Sequence, residues 1–303
     1  MKIDISVVLF CFSADHILTK CLNSYLVQNY PVSRFEIIIV PISNRSESRK
    51  VIDSYFYSGH INIKIIHNIK NNIFNHVINI ASGKIIFFTC DFVYADKSLL
   101  EHIYNAFTKT LPVTDFVVGK TLPVFEIKPK QLFSEQSKLL FGIQEKSSGL
   151  HILNKNDIAF FLNIAFRKNL VFNKIYFETT EQNLFLKYRF SEVHLFRKKI
   201  ESKNKKIYYC PNMIVYYLIQ KKDLSIFNIF LLSLKKGMFT ALLNKQSTGK
   251  SLFHNIDVLL FSFLKVTYRI LFILPFKFNK SNIEIIRINF YRMGHALTNL
   301  ITF

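Results

Sequence analysis

Apolar residues fall in short, nearly unbroken runs at 5–12, 35–40 and 84–88. Each is too brief for an ordinary helix, and the polar alternation of a half-solvated strand is missing. Strands covered on both faces read this way. Between them the spacing changes. Ile17, Leu18, Leu22, Tyr25 and Leu26 recur at helical intervals and predict a helix over 14–28. Further helices are predicted over 45–57, 72–82 and 97–108, the third stopping at Gly83. Residues 61–66 alternate in part and read as another strand, and 115–119 as a further one. Strand alternating with helix implies right-handed crossovers, hence a mostly parallel, Rossmann-like α/β sheet. Ligands of such sheets bind beyond the carboxyl ends of the strands. That places a site near 10–13, 40–44 and 89–91.

Past residue 120 the pattern weakens. Short strands are predicted over 206–209 and 213–217, on either side of Cys210-Pro211. From about 224 long apolar stretches with basic punctuation take over, chiefly 226–243 and 256–276. The second has nearly the length of a bilayer span, but Asp257, Lys265 and Arg269 interrupt it on one side of a helix. A helix lying in the membrane interface, a true span, and a soluble cap or dimer face are the three readings. The chain therefore divides at 1–222 and 223–303, the second part helical and membrane-associating.

Charge and cysteines narrow the class. Forty Lys and Arg against twenty Asp and Glu give +20. That invites an anionic partner, though a chain rich in Lys, Asn, Ile and Phe carries some of this excess as compositional drift. No aromatic stacking platform accompanies the cations, so nucleic acid is not expected. Cys11, Cys21, Cys90 and Cys210 lie too far apart for zinc or redox spacing, and a reducing compartment is the default. The apolar start has Asp4 before it and no small-residue cleavage site after it, so it reads as a buried strand and not as a leader.

A set of motifs runs along this framework. Gln28-Asn29-Tyr30-Pro31 closes the first helix. Asn75, Ala81 and Gly83 follow, then Thr89-Cys90-Asp91, Asp115-Phe116-Val117-Val118-Gly119 and Asn163-Ile164-Ala165-Phe166-Arg167. Thr180-Glu181-Gln182, Lys206-Ile207-Tyr208-Tyr209-Cys210-Pro211 with Val215, and Lys235-Lys236-Gly237 complete the series. In order and spacing they resemble glycosyltransferase family 2, with coverage from about residue 3 to 240. The resemblance implies a sheet of the nucleotide-diphosphosugar transferase (GT-A) type. It also implies transfer of a sugar, with inversion, from a nucleotide sugar to a glycan or lipid-linked acceptor. The setting implied is bacterial surface-polysaccharide synthesis at the cytoplasmic face of the inner membrane, with the chain peripheral or monotopic on an anionic surface. Phe10, Phe12, Ser43, Asn75 and Asp91 are expected at the nucleotide sugar, and Asn163 and Arg167 on the acceptor side.

The departures fall on the acids. Pro41 stands where the family holds the base with Asp, and Ser43-Asn44-Arg45-Ser46 replaces the next acid. Asp91 alone remains of Asp-x-Asp, and it is the expected ligand of Mn²⁺ or Mg²⁺, with diphosphate oxygens completing the shell. Of the Glu-Asp pair that carries the catalytic base, Glu181 is kept and Gln182 replaces the acid. An amide accepts no proton usefully, so Glu181 would act as base. The plainer readings are a strand-end acid at Asp91 and a helix start at Thr180-Glu181. The alternative function is an inactive transferase fold that binds a glycan, a lipid or a partner protein.

Overall fold

The structure is a computed structural model. It describes residues 2–12, 15–42, 46–66, 73–110, 114–129, 138, 140, 141, 143, 149–153, 163–169, 200, 205–244, 252–273 and 279–301. The first strands are β1 (Ile5–Cys11), β2 (Phe35–Pro41), β3 (Asn62–Ile65) and β4 (Ile85–Cys90). Helices α1 (Asp15–Leu26), α2 (Ser46–Ser58) and α3 (Ile73–Ile80) connect them. Every residue of β1 and β4 is buried, as their unbroken apolar runs require. The chain then forms β5 (Val93–Ala95), α4 (Leu99–Asn105), β6 (Phe116–Phe125), β7 (His151–Ile152), β8 (Ile164–Arg167) and β9 (Ile207–Ile219).

The described strands form one sheet in the order β3-β2-β1-β4-β8-β6-β9-β5, with β7 also against β9. β3, β2, β1 and β4 are parallel. β8 is antiparallel to β4 and β6, and β5 is antiparallel to β9. The break expected at Cys210-Pro211 does not occur, because β9 runs through it. Pro211 lies between the stretch paired with β7 (Tyr208, Tyr209) and the stretch paired with β5 (Val215–Tyr217). A residue without an N–H is tolerated where no partner on that side demands one.

At the amino ends of the strands one charge is buried. Glu36 accepts from Ser6 Oγ (2.6 Å) and from the Ser82 N–H (2.6 Å), and Lys64 Nζ lies 2.8 Å from its second oxygen. Burial alone raises the carboxyl pKa, but these partners outweigh it and hold the group below the usual carboxylate range. The Gly83 N–H completes the knot on Ser6 Oγ. A Cβ at Gly83 would sit 2.5 Å from the Ser6 nitrogen, so the close approach of the loop to β1 needs glycine.

The chain separates into two compact units. One comprises Met1–Val124 with Gln144–Leu218, and the other Phe125–Ile143 with Ile219–Phe303. The second therefore takes in 125–143 as well as the C-terminal tract. Glu126 secures that segment, its N–H donating to Ile219 O and its carboxylate accepting from the Lys221 N–H. This unit is built on α5 (Ile226–Asn244), α6 (Leu252–Tyr268) and α7 (Lys280–Ile301). α5 and α7 touch backbone to backbone. A Cβ on Gly237 would overlap Tyr291 O, and one on Gly294 would overlap Leu234 O. Gly237, part of the basic-Gly motif, is thus a helix-packing residue.

The expected polar stripe on α6 is divided. Asp257 and Lys265 are exposed, but Arg269 is half-buried and donates to Asn282 Oδ1 of α7 (2.6 Å). Neighbouring polar groups outbid solvent for its guanidinium. Among the described residues no helix is long and apolar enough to cross a membrane.

Candidate active site

Three strand ends meet at one level, since Phe10 is in register with both Val40 and Cys90. Asp91 joins them. Its N–H donates to Phe10 O (3.1 Å), and its Oδ2 accepts the Phe12 N–H (2.8 Å). One residue thus grips β1 on both sides of Cys11 and fixes where the chain leaves the sheet. Asp91 is fully buried. Burial, and then the Asp91 charge, push the Cys11 and Cys21 thiols well above their ordinary pKa. They stay protonated and act as small apolar packing.

Phe10 is buried and meets Phe74 and Phe88 edge-on, with centroids 5.4 and 5.7 Å away. It builds the floor under the strand ends. Asn75 follows Phe74 on α3 and is half-buried. Phe12 is half-buried, and its ring lies 6.1 Å from Phe92, which meets Tyr217 edge-on at 5.2 Å. The Leu218 N–H donates to Phe92 O. Antiparallel pairing of β5 with β9 therefore brings Tyr217 beside Phe92 and Val93, though they are far apart in sequence. Sequence reasoning did not single out Phe92 and Tyr217 as site residues. Their signal was an aromatic directly after Asp91 and the Tyr216-Tyr217 pair after Val215.

Thr89 is fully buried and close to the Tyr25 phenol, yet its hydroxyl has no partner of normal hydrogen-bond geometry among the described residues. Asn163 lies one residue beyond the Phe88–Ile164 pair, at the same end of the sheet as Asp91. Its Nδ2 donates to Lys120 O (2.9 Å) and Met213 O (3.0 Å), tying β6 to β9. The carboxamide fills the space a side chain would need at Gly119.

Arg167 is placed elsewhere. It pairs with Ile85 at the start of β4, six residues and about 20 Å from Asp91. Its guanidinium donates to Thr114 O and Phe107 O. The structure brings Phe10, Phe12, Asn163 and Asp91 to one end of the sheet and does not bring Arg167 there. Ser43, Glu181 and Gln182 lie outside the described residues. The Gln28-Asn29-Tyr30-Pro31 motif has structural work. Gln28 donates to Asp96 O and accepts the Leu100 N–H, joining α1 to the start of α4. Tyr30 donates to Asp4.

Among the described residues no group of three or more His, Cys, Asp or Glu could hold a metal. A lone carboxylate beside a hydroxyl cannot cage a cation. One carboxylate suits a hard divalent ion that takes most of its oxygens from a bound diphosphate, but Asp91 is fully buried here, so its side chain has to be uncovered before it can act as that ligand.

A parallel sheet that passes at Asp91 into an antiparallel half, with the site at its carboxyl ends, is the architecture of a GT-A transferase. The family description Glycosyl transferase family 2 matches residues 6–180, more than half of the chain. The chain belongs to glycosyltransferase family 2. Solved structures share the fold. S. aureus TarS in complex with UDP-GlcNAc is 14% identical, with a TM-score of 0.56 over 97% of this chain and 90% of that one. The mannosyltransferase PcManGT from Pyrobaculum calidifontis, in complex with GDP-Man and Mn²⁺, is 11% identical, with a TM-score of 0.57 over 99% and 88%. No curated protein matches the chain.

Proposed function

We propose that this glycosyltransferase moves a sugar, with inversion, from a nucleoside-diphosphate sugar to a glycan or lipid-linked acceptor. The setting proposed is bacterial surface-polysaccharide synthesis at the cytoplasmic face of the inner membrane. The observation that carries the reading is the Asp91 grip on β1. It holds the family's last metal-region acid at the same sheet end as Phe10 and Phe12. Nucleotide-sugar binding is supported by the UDP-GlcNAc and GDP-Man bound to the two similar structures.

The acceptor hydroxyl attacks the anomeric carbon as the bond to the diphosphate oxygen breaks. The leaving diphosphate keeps the bonding electrons, and the hydroxyl proton passes to Glu181. Asp91 would hold Mn²⁺ or Mg²⁺, which supplies charge neutralisation for the diphosphate. Phe12, half-buried and next to the Asp91 carboxylate through its N–H, rests on the buried Phe92 ring. Pro41 offers the base no carboxylate, so base selection rests on other groups.

The test is donor binding by calorimetry, with UDP, GDP, CDP and dTDP sugars and with or without Mn²⁺. Asp91→Asn keeps an oxygen for the Phe12 N–H but removes the charge. It should keep the fold and weaken Mn²⁺-dependent donor binding by about tenfold or more. Unchanged affinity would take Asp91 out of the donor site. No binding by the parent chain to any of these donors would favour a binding protein on a transferase scaffold.

A further inference from the structure

α6 wears its polarity inside out. Its buried positions include Asn255 and Ser262, and Asn255 Oδ1 accepts from Asn299 of α7 (3.0 Å). Arg269, directly after α6, is likewise turned to α7. The opposite face is large and mostly apolar, with one exposed acid, Asp257, a turn before Leu260 and Phe261 in the same arc. Leu260, Phe261, Leu264 and Tyr268 fall within an arc of about 100° at helical spacing. Leu271 and Phe272 extend it into the π-helical turn Arg269–Ile273. These six side chains are 56–63% exposed. Scattered apolar residues on a surface are ordinary, but a contiguous row beside a polar interior marks a face made for something other than water.

We propose that this face of α6 docks on an anionic bilayer surface, the helix lying in the plane of the interface with these six side chains among the lipid. This deepens the membrane setting proposed above by naming the element that meets lipid. It rests on α6 alone and not on the transfer reaction. Charge decides between occupants. The chain carries +20, so a second copy would set two strongly positive bodies together, whereas anionic headgroups complement them. The tract 224–303 holds ten Lys and Arg against Asp257 and Glu284. Lys265 is exposed at the rim of the apolar arc, with its Nζ 4.2 Å from the Phe261 ring centroid. That is the posture of a cation whose stem lies along apolar surface while its head stays among phosphates. The Asn255–Asn299 and Arg269–Asn282 bonds keep the polar face on α7 while the apolar face is spent on lipid.

The chain has no Trp, so one introduced indole reports without background. Full-length Leu264→Trp should shift to shorter emission wavelength on phosphatidylcholine vesicles containing phosphatidylserine, and brominated lipid should quench it. Tyr57→Trp, at an 81% exposed site in the other unit, should do neither. The parent chain should pellet about tenfold more with these vesicles than with phosphatidylcholine alone. Leu264→Asp, with its circular dichroism unchanged, should stay in the supernatant. Solvent-like emission from Leu264→Trp on both vesicles, or full binding by Leu264→Asp, overturns the proposal. Blue emission without lipid, together with a dimer that Leu264→Asp dissolves, also overturns it and assigns the face to a second copy. Donor binding is measured on the same samples. Donor binding without vesicle binding removes the docking alone, and the reverse removes the transfer reading alone.

Discussion

Glu36 in the sheet unit and Ser262 in the helical unit are both buried polar side chains, but their surroundings differ. Glu36 sits on a buried strand and is held by Ser6, Ser82 and Lys64. Its unit turns apolar residues inward wherever β1, β2 and β4 run. Ser262 lies on the interior side of a helix whose Leu260, Phe261 and Leu264 are exposed. The hydrophobic effect sorts side chains by the solvent they meet, and the strands of the sheet unit follow that rule for water where the outward face of α6 does not. A composition of 50% apolar residues describes both units and separates neither.

Substitutions at five positions bear on this difference. The largest effect is expected where the sheet unit carries chemistry. Glu181→Gln should lower kcat by ~10² or more, because the acceptor hydroxyl would lose the base proposed for it. Gln182→Asp should leave kcat equal or higher. A fully active Glu181→Gln enzyme would move the base elsewhere.

Next comes the buried charge. Glu36→Ala removes the acceptor of Ser6 Oγ and of the Ser82 N–H and takes the counter-ion from Lys64, which keeps only its bonds to Ile80 O and Ser82 Oγ. It should cost about 3 kcal/mol, read as a drop in the urea midpoint. The same carboxylate sets a pH dependence. Its folded pKa is lowered, so its contribution is present above the ordinary carboxylate range and is lost as pH falls through the folded value. The parent should therefore lose stability in acid faster than Glu36→Gln. Parallel curves would show that Glu36 adds nothing through its charge.

The smallest effects contrast two sites in the helical unit. Gly294→Ala presses a methyl against Leu234 O and should cost about 1–3 kcal/mol by forcing α5 and α7 apart. Leu264→Ser, on the outward face, should change stability in lipid-free buffer by less than about 0.5 kcal/mol. A large loss at Leu264 would mean that the row of apolar side chains is covered within the protein, and the contrast between the units would fail.

Much of the sheet was legible before any coordinates. Unbroken apolar runs specify β1, β2 and β4, because a strand covered on both faces has no polar side to show. The order of motifs carried the family, whereas α3 ends at Ile80, before the expected stop at Gly83, which serves the close approach to β1 instead. Less of the site could be read. Asp91 was visible as the surviving acid, but its grip on the Phe12 N–H joins residues 79 positions apart, and no local pattern encodes that bond. Asn163 and Arg167 look like one element in sequence. The antiparallel turn of β8 sets them at opposite ends, with Asn163 at the Asp91 end and Arg167 about 20 Å away. In the helical unit the spacing of Asp257, Lys265 and Arg269 announced an amphipathic helix. Which side faced inward depended on the partners α7 offered, and Asn282 drew Arg269 away from the exposed face. Local periodicity determined which segments became strands and helices. The tertiary structure alone decided which strand ends met and which helix face was left outward, because both depend on groups that the chain brings together only by folding.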